Sequence, residues 1–202
     1  MIKQLLIATN NKGKVVEIIP LLEGIAAYVI SLADLENRIE VEETGNTFTE
    51  NAVLKAETLF EKTGIITLAD DSGIEVDAIG GRPGVYSARF AGEETDSQKN
   101  NALLLEMLKD VPEDKRTARF RCVMALALPV GTRIFDGAVE GIIVEKPQGD
   151  YGFGYDPVFR PDGYDKTFGE LGKPVKFEIS HRTRALNKVI DFLKNYSDNS
   201  DR

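Results

Sequence analysis

Two adjacent aspartates, Asp70 and Asp71, follow the uncharged run "GIITLA" and precede Ser72 and a glycine. Adjacent carboxylates repel and raise one another's pKa unless a cation sits between or beside them. Mg2+ takes hard oxygen ligands, often one or two carboxylates together with substrate phosphates. Glu42 and Glu43 lie just ahead of a helix-forming segment, so Glu42, Glu43, Asp70 and Asp71 would suffice for such a site. The pattern puts the two aspartates at the end of a central strand, where ligand sites of α/β sheets usually lie. An Asp-Asp-Ser-Gly turn, made of ordinary turn residues, fits the same letters.

Four other stretches bear on chemistry. "TNNKGK", Thr9 to Lys14, separates an apolar strand from a helix. Backbone N–H groups and the helix dipole favour an anion there. Asn10 and Asn11 can cap or donate, and Lys12 and Lys14 add charge. It is not a Walker A loop, and by itself it also reads as a plain turn. Asn51 and Lys55 are four apart and share one helix face, taken to lie away from the apolar residues and either to meet solvent or to line a cleft, between which periodicity does not choose. "GDYGFGYDPVF" offers glycines for close backbone approach and Tyr151, Phe153 and Tyr155 as faces for a base. "ISHRTRAL" holds the only histidine, His181, beside Arg182 and Arg184 at a helix start. Cations are disfavoured there by the dipole, which hints at partners for them.

The elements that must position these residues follow from periodicity. Strands are expected at 2–8, "AAYVISL", "IITLA" and, after a turn, "GIEVDAI"; "ARFRCVMALALP" and "TRIFDGAVEGIIVEK" read as a hairpin. A first helix runs from about Lys14 to Leu22, kinked or cut short by Pro20. The clearest helix is "TFTENAVLKAETLFEKTG", with Thr47 and Glu50 as a capping box and Gly64 ending it. Asp96 caps another helix, residues 149–172 read as loop, and the last helix starts near Ser180. Cys122, in an apolar strand, reads as core. Alternating strands and helices with a late hairpin give an α/β fold with a mixed sheet.

A chain of 202 residues can form one large domain or two closely packed lobes. Apolar residues at 42% and charged residues at 29% are an ordinary soluble balance. A net charge of −8 argues against a duplex or membrane binder. A single cysteine rules out an internal disulfide and fits a reducing compartment. No apolar window nears the ~18 residues of a membrane span. The expectation is a cytoplasmic, enzyme-sized protein with one domain over 1–196 and a disordered tail at 197–202.

Taken together, "ATNNKGKVVEI", "EETGNTFTENAVLKA", "ADDSGIEVDAIGGRPGVYSARFAG", "GFGYDPVF" and "ISHRTRAL" resemble, in order, the inosine triphosphate pyrophosphatase family, also called the Ham1-like or non-standard purine NTP pyrophosphatases. The resemblance implies an elongated α/β fold whose long, twisted mixed sheet carries two lobes around a central cleft. It implies Mg2+-dependent hydrolysis of ITP, dITP and XTP to the monophosphate plus pyrophosphate, by a homodimer. It also implies roles. Thr9, Asn10, Asn11, Lys12, Gly13 and Lys14 would hold the triphosphate together with Lys55. Glu43 and Asp71 would bind metal, Asp71 would also serve as general base, and Asp70 would support them. Ser72 would touch substrate, Phe153, Gly154, Tyr155 and Asp156 would form the nucleoside pocket, and Lys176, His181 and Arg182 would read the base edge. Tyr151 departs from the family's pattern by replacing a glycine. The rival readings are a Maf-like pyrophosphatase of other base preference, which "ISHR" argues against, and a nucleotide-binding regulator without turnover.

Overall fold

The computed structural model describes residues 2–35, 39–92 and 96–196, so the expected tail at 197–202 lies outside the described residues. The chain runs β1 (Ile2–Ile7), α1 (Lys12–Ile18), β2 (Ala26–Ser31), α2 (Phe48–Thr63), β3 (Thr67–Val76), β4 (Arg82–Pro83), α3 (Ser97–Met107), β5 (Thr117–Leu128), β6 (Gly131–Ile143), β7 (Phe159–Pro161), α4 (Phe168–Ile179) and α5 (His181–Asn195). The seven strands form one sheet in the order β2-β1-β3-β5-β6-β7, with β4 paired to β3. β1 pairs parallel with both β2 and β3, whereas β3–β4 and β6–β7 are antiparallel, so the sheet is mixed as expected. β5 and β6 are neighbours joined by Pro129 and Val130, a connection short enough only for an antiparallel hairpin.

Local chemistry explains most boundaries. Asn11 caps α1 by accepting from Gly13 N and Lys14 N, and Pro20 converts the continuation into a 3₁₀ turn over Ile19–Leu22. Thr47 accepts from Glu50 N at 3.1 Å, while Glu50 reaches back to Asn46 N, one residue earlier than a capping box requires. Gly64, at φ 69°, ends α2. Asp96 caps α3 through Gln98 N and Lys99 N.

Three expectations are corrected. β3 runs unbroken over Thr67–Val76, so Asp70 and Asp71 lie within the strand and not at its end. The Asp-Asp-Ser-Gly letters suggest a turn only while the residues that neutralise them are unseen. The stretch 149–172 contains β7 and the start of α4, a helix broken at Gly172 (φ 72°, ψ −173°) and containing Pro174. Those two residues hide its period. Finally, Asn51 and Lys55 lie on the buried face of α2 with Ala52, Ala56 and Leu59, not opposite it.

The chain divides into two compact units. The first comprises the described parts of 1–71, 122–137 and 182–202. Its core joins Leu5, Ile7, Leu22 and Leu68 to Met124 and Leu126 and to Ala185, Leu186, Val189, Ile190 and Leu193 of α5, five apolar residues at helical spacing. Cys122 is fully buried there, and burial pushes its thiol up to about 12. The second unit comprises residues 72–121 and 138–181. Its core gathers Ile74, Val76, Leu104 and Leu108 around Phe120, Phe159 and Phe168. Phe120 meets Phe159 edge-on at 4.8 Å between centroids, a favoured aromatic geometry.

Gly73 marks a close approach in this unit. A Cβ there would lie 2.3 Å from Ser87 Oγ and 2.5 Å from the Gly84 carbonyl. Ser87 Oγ itself accepts Ile74 N–H at 2.9 Å and donates to Gly84 O at 2.6 Å, so it has little room to yield. Gly73→Ala is expected to destabilise the protein by roughly 1–3 kcal/mol, measured by urea unfolding.

Candidate active site

Strand β3 places two adjacent carboxylates in opposite circumstances, because successive side chains point to opposite faces. Asp70 is 2% exposed, with Lys14 Nζ 2.8 Å from its Oδ2 and Arg182 Nε at 3.5 Å. Burial opposes its charge, yet Lys14, Arg182 and Lys55 outweigh burial and hold it well below the usual carboxylate range. Asn51 Nδ2 donates to Asp71 Oδ2 at 3.0 Å. Burial raises its pKa, the nearby Glu43 charge raises it further, and Lys55 and Asn51 only partly offset this. One aspartate is thus a fixed anion and its neighbour a carboxylate disposed to take a proton.

Helix α2 supplies the link between them. Lys55 Nζ lies 2.6 Å from Glu43 Oε1 and donates to the Asp70 carbonyl at 2.7 Å. Burial works against its charge, but Asp70, Glu43 and Asp71 prevail and raise its pKa. One turn earlier, Asn51 accepts Gly45 N–H at 2.8 Å while donating to Asp71. One amide therefore ties the segment carrying Glu43 to the catalytic candidate. Asn51 was placed by its spacing from Lys55 but not given a role; the spacing was the available signal. Glu17 of α1, the acceptor for Arg182 Nη1, carried no sequence signal at all.

Glu43 and Asp71 are hard oxygen donors close enough for one charge to raise the other's pKa. No group of three or more His, Cys, Asp or Glu positioned for a metal occurs among the described residues. Two carboxylates suit Mg2+ that completes its shell with water and phosphate, not an all-protein cage. Glu42 and Glu43 are both exposed, and Glu43 is the one engaged with Lys55.

In the loop Thr9 to Lys14, Asn10, Asn11 and Lys12 are exposed, while Thr9, Gly13 and Lys14 are half-buried. Thr9 Oγ1 accepts Asn11 N–H at 3.1 Å, and the Asn11 side chain takes the N–H groups of Gly13 and Lys14. The loop is therefore prearranged by its own side chains, and its outward chemistry rests on the lysines.

The second unit holds the other cluster. Asp156, 1% exposed, accepts Phe153 N–H at 2.8 Å and pairs with Lys176 Nζ at 2.6 Å, both through Oδ2. Lys176 also lies 4.4 Å from the centroid of the Phe153 ring, a cation–π distance. Tyr155 is buried and donates its hydroxyl to Ser87 O at 2.8 Å. Gly152, at φ 82°, is required: a Cβ would sit 1.9 Å from Asp156 Oδ2. Tyr151 stands exposed, its ring 3.6 Å from where a Gly172 Cβ would be. His181 is buried and stacks on Phe120 at 4.8 Å. Ser72 is half-buried.

The structure thus brings Lys14, Glu43, Lys55, Asp70, Asp71 and Arg182 together in the first unit. It brings Phe153, Asp156 and Lys176 together in the second. Arg182, expected at the base edge, has Glu17 and Asp70 as partners, which accounts for a cation at the start of α5.

Buried lysines set among carboxylates on a mixed sheet define an α/β protein with a preorganised charged centre. A family model described as the Ham1 family matches residues 5–192, and the chain belongs to that family. It is 52% identical over 191 residues to a dITP/XTP pyrophosphatase of Desulforamulus reducens, covering 94% of this chain and 95% of that one. A dITP/XTP pyrophosphatase of Bacillus subtilis is 48% identical over 195 residues, covering 96% and 98%. Among solved structures, the Staphylococcus aureus Ham1 protein matches with a TM-score of 0.85 at 41% identity, over 96% of this chain and 99% of that one. A Coxiella burnetii HAM1 protein matches with a TM-score of 0.85 at 35% identity, over 96% and 100%.

Proposed function

We propose that this protein hydrolyses ITP, dITP and XTP to the monophosphate and pyrophosphate, clearing deaminated purines from the nucleotide pool. The observation that carries the reading is the near full-length match, at about half identity, to proteins named dITP/XTP pyrophosphatase. The charged centre supports it. Lys14 and Lys55 would neutralise phosphate oxygens, with Thr9 to Gly13 shaping the loop around the chain of phosphates. Glu43 and Asp71 would hold Mg2+, which supplies further neutralisation of charge on the phosphates. Asp71, its basicity raised by burial, orients and deprotonates a water in line with the α–β phosphoanhydride bond. Asn51 fixes one oxygen of that carboxylate, and Asp70 keeps Lys14 and Arg182 in place.

The nucleoside belongs to Ser72 and the Phe153–Asp156 loop, with the base on the Phe153 ring. Lys176 and His181 supply donors for a purine 6-oxo group, which a 6-amino group cannot accept, whereas Arg182 is engaged by Glu17 and Asp70. A donor left unpaired costs roughly 1–3 kcal/mol, the basis for rejecting adenine. The protein acts as a cytoplasmic homodimer on free nucleotides, not on nucleic acid or at a membrane. Among the described residues no helix is long and apolar enough to cross one.

The direct test is an assay of ITP, XTP, GTP, ATP and UTP with Mg2+, scoring pyrophosphate against orthophosphate. Pyrophosphate from ITP and XTP, far above the rest, is expected. Orthophosphate as first product, or UTP turned over as well as ITP, overturns the reading.

A further inference from the structure

Helix α3 buries two neighbouring asparagines with different employment. Asn100 serves the architecture: its Oδ1 accepts Ala91 N–H at 2.8 Å, and its Nδ2 donates to Ala88 O at 3.0 Å and Ser87 O at 3.4 Å. Asn101 is 7% exposed and makes one such bond, from Nδ2 to the Gly154 carbonyl at 3.1 Å. Its Oδ1 is buried and accepts no hydrogen bond among the described residues. Burying half an amide unsatisfied is unfavourable, and leucine would fill similar space without that cost. Stability therefore does not account for an amide at this position; what it does is fix one carbonyl.

That carbonyl sits in the middle of the Phe153–Asp156 loop. Gly154 has φ 63°, and a glycine peptide is free to reorient because both signs of φ are accessible to it. Every other residue of the loop is held by its own contact: Phe153 N–H on Asp156, the Tyr155 hydroxyl on Ser87 O, and Asp156 on Lys176. Without Asn101 the softest link in the loop would be the unanchored one, directly after the Phe153 ring. We infer that Asn101 is a positioning residue for purine recognition, holding the Gly154 carbonyl so that Phe153 and Tyr155 are mounted in one orientation before the base arrives. The inference rests on reading Phe153–Asp156 as the base pocket.

Calorimetric titration with inosine monophosphate and, separately, with pyrophosphate tests it on wild type, Asn101→Leu, Asn101→Asp and Phe153→Ala. Both Asn101 variants lack the donor, and the aspartate keeps the size and polarity of the original. Each is expected to bind the monophosphate roughly 5–30-fold more weakly while holding pyrophosphate within about twofold. In turnover of ITP, KM should rise with little change in kcat, the sign of lost ground-state binding. If Phe153→Ala weakens monophosphate binding and the Asn101 variants do not, the inference falls and the pocket reading stands. If Phe153→Ala leaves it unchanged, the pocket reading falls and takes the inference with it. Equal weakening toward both ligands, or failure of both Asn101 variants to fold, assigns the residue to architecture and overturns the inference.

Discussion

Asp71→Asn is expected to lower kcat for ITP by roughly 10²–10⁴-fold, the range for losing a positioned general base, while the fold becomes no less stable. The amide keeps an oxygen for Asn51 Nδ2 and removes a charge that burial and Glu43 both oppose. The sign follows from the pKa. A carboxyl whose folded pKa is raised costs stability when ionised, and that cost fades as pH falls below the unfolded value. The variant should therefore match or exceed wild type in thermal unfolding near neutral pH, with any advantage gone in acid. Activity within tenfold of wild type would show that Asp71 is neither base nor essential ligand. A large loss of stability would show instead that its charge is structural.

The adjacent substitution, Asp70→Asn, is expected to do the reverse. Asp70 is the shared anion between Lys14 and Arg182, both largely withdrawn from solvent. Removing one member of a buried pair leaves uncompensated charge and typically costs about 3–5 kcal/mol. Here the folded pKa is depressed, so the stabilisation is present above the ordinary carboxylate range and lost as pH falls through the depressed value. Urea unfolding should thus show a wide gap between variant and wild type at neutral pH that narrows in acid. A gap under about 1 kcal/mol at neutral pH would mean that Lys14 and Arg182 are adequately held by other groups, Glu17 among them. The same two letters in sequence would then not separate into a reactive and a structural carboxylate.

The sequence carried the helices with uninterrupted period, and it carried the chemistry wherever residue type alone sufficed. α5 was legible because five apolar residues recur at helical spacing, and all five are buried. α4 was not, since Gly172 and Pro174 interrupt its pattern. The continuity of β3 was hidden for another reason. Asp70 is tolerated inside a strand only because Lys14, 56 positions away in the chain by subtraction of residue numbers, and Arg182 come to it in three dimensions. Local propensity cannot register a partner so distant. The face of α2 failed likewise: Asn51 and Lys55 look like a solvated stripe until the carbonyl of Asp70 and the carboxylates of Asp71 and Glu43 are seen to receive them.

Cys122 offers a practical handle. Burial pushes its pKa up to about 12, so the reactive thiolate is scarce near pH 7, and the sulfur is sealed in the first unit's core. The native protein should therefore ignore alkylating reagents, and a trapped label would record a moment when that core had come apart. The chain carries its own single-site clock for the opening of that core, readable by mass spectrometry without adding a probe.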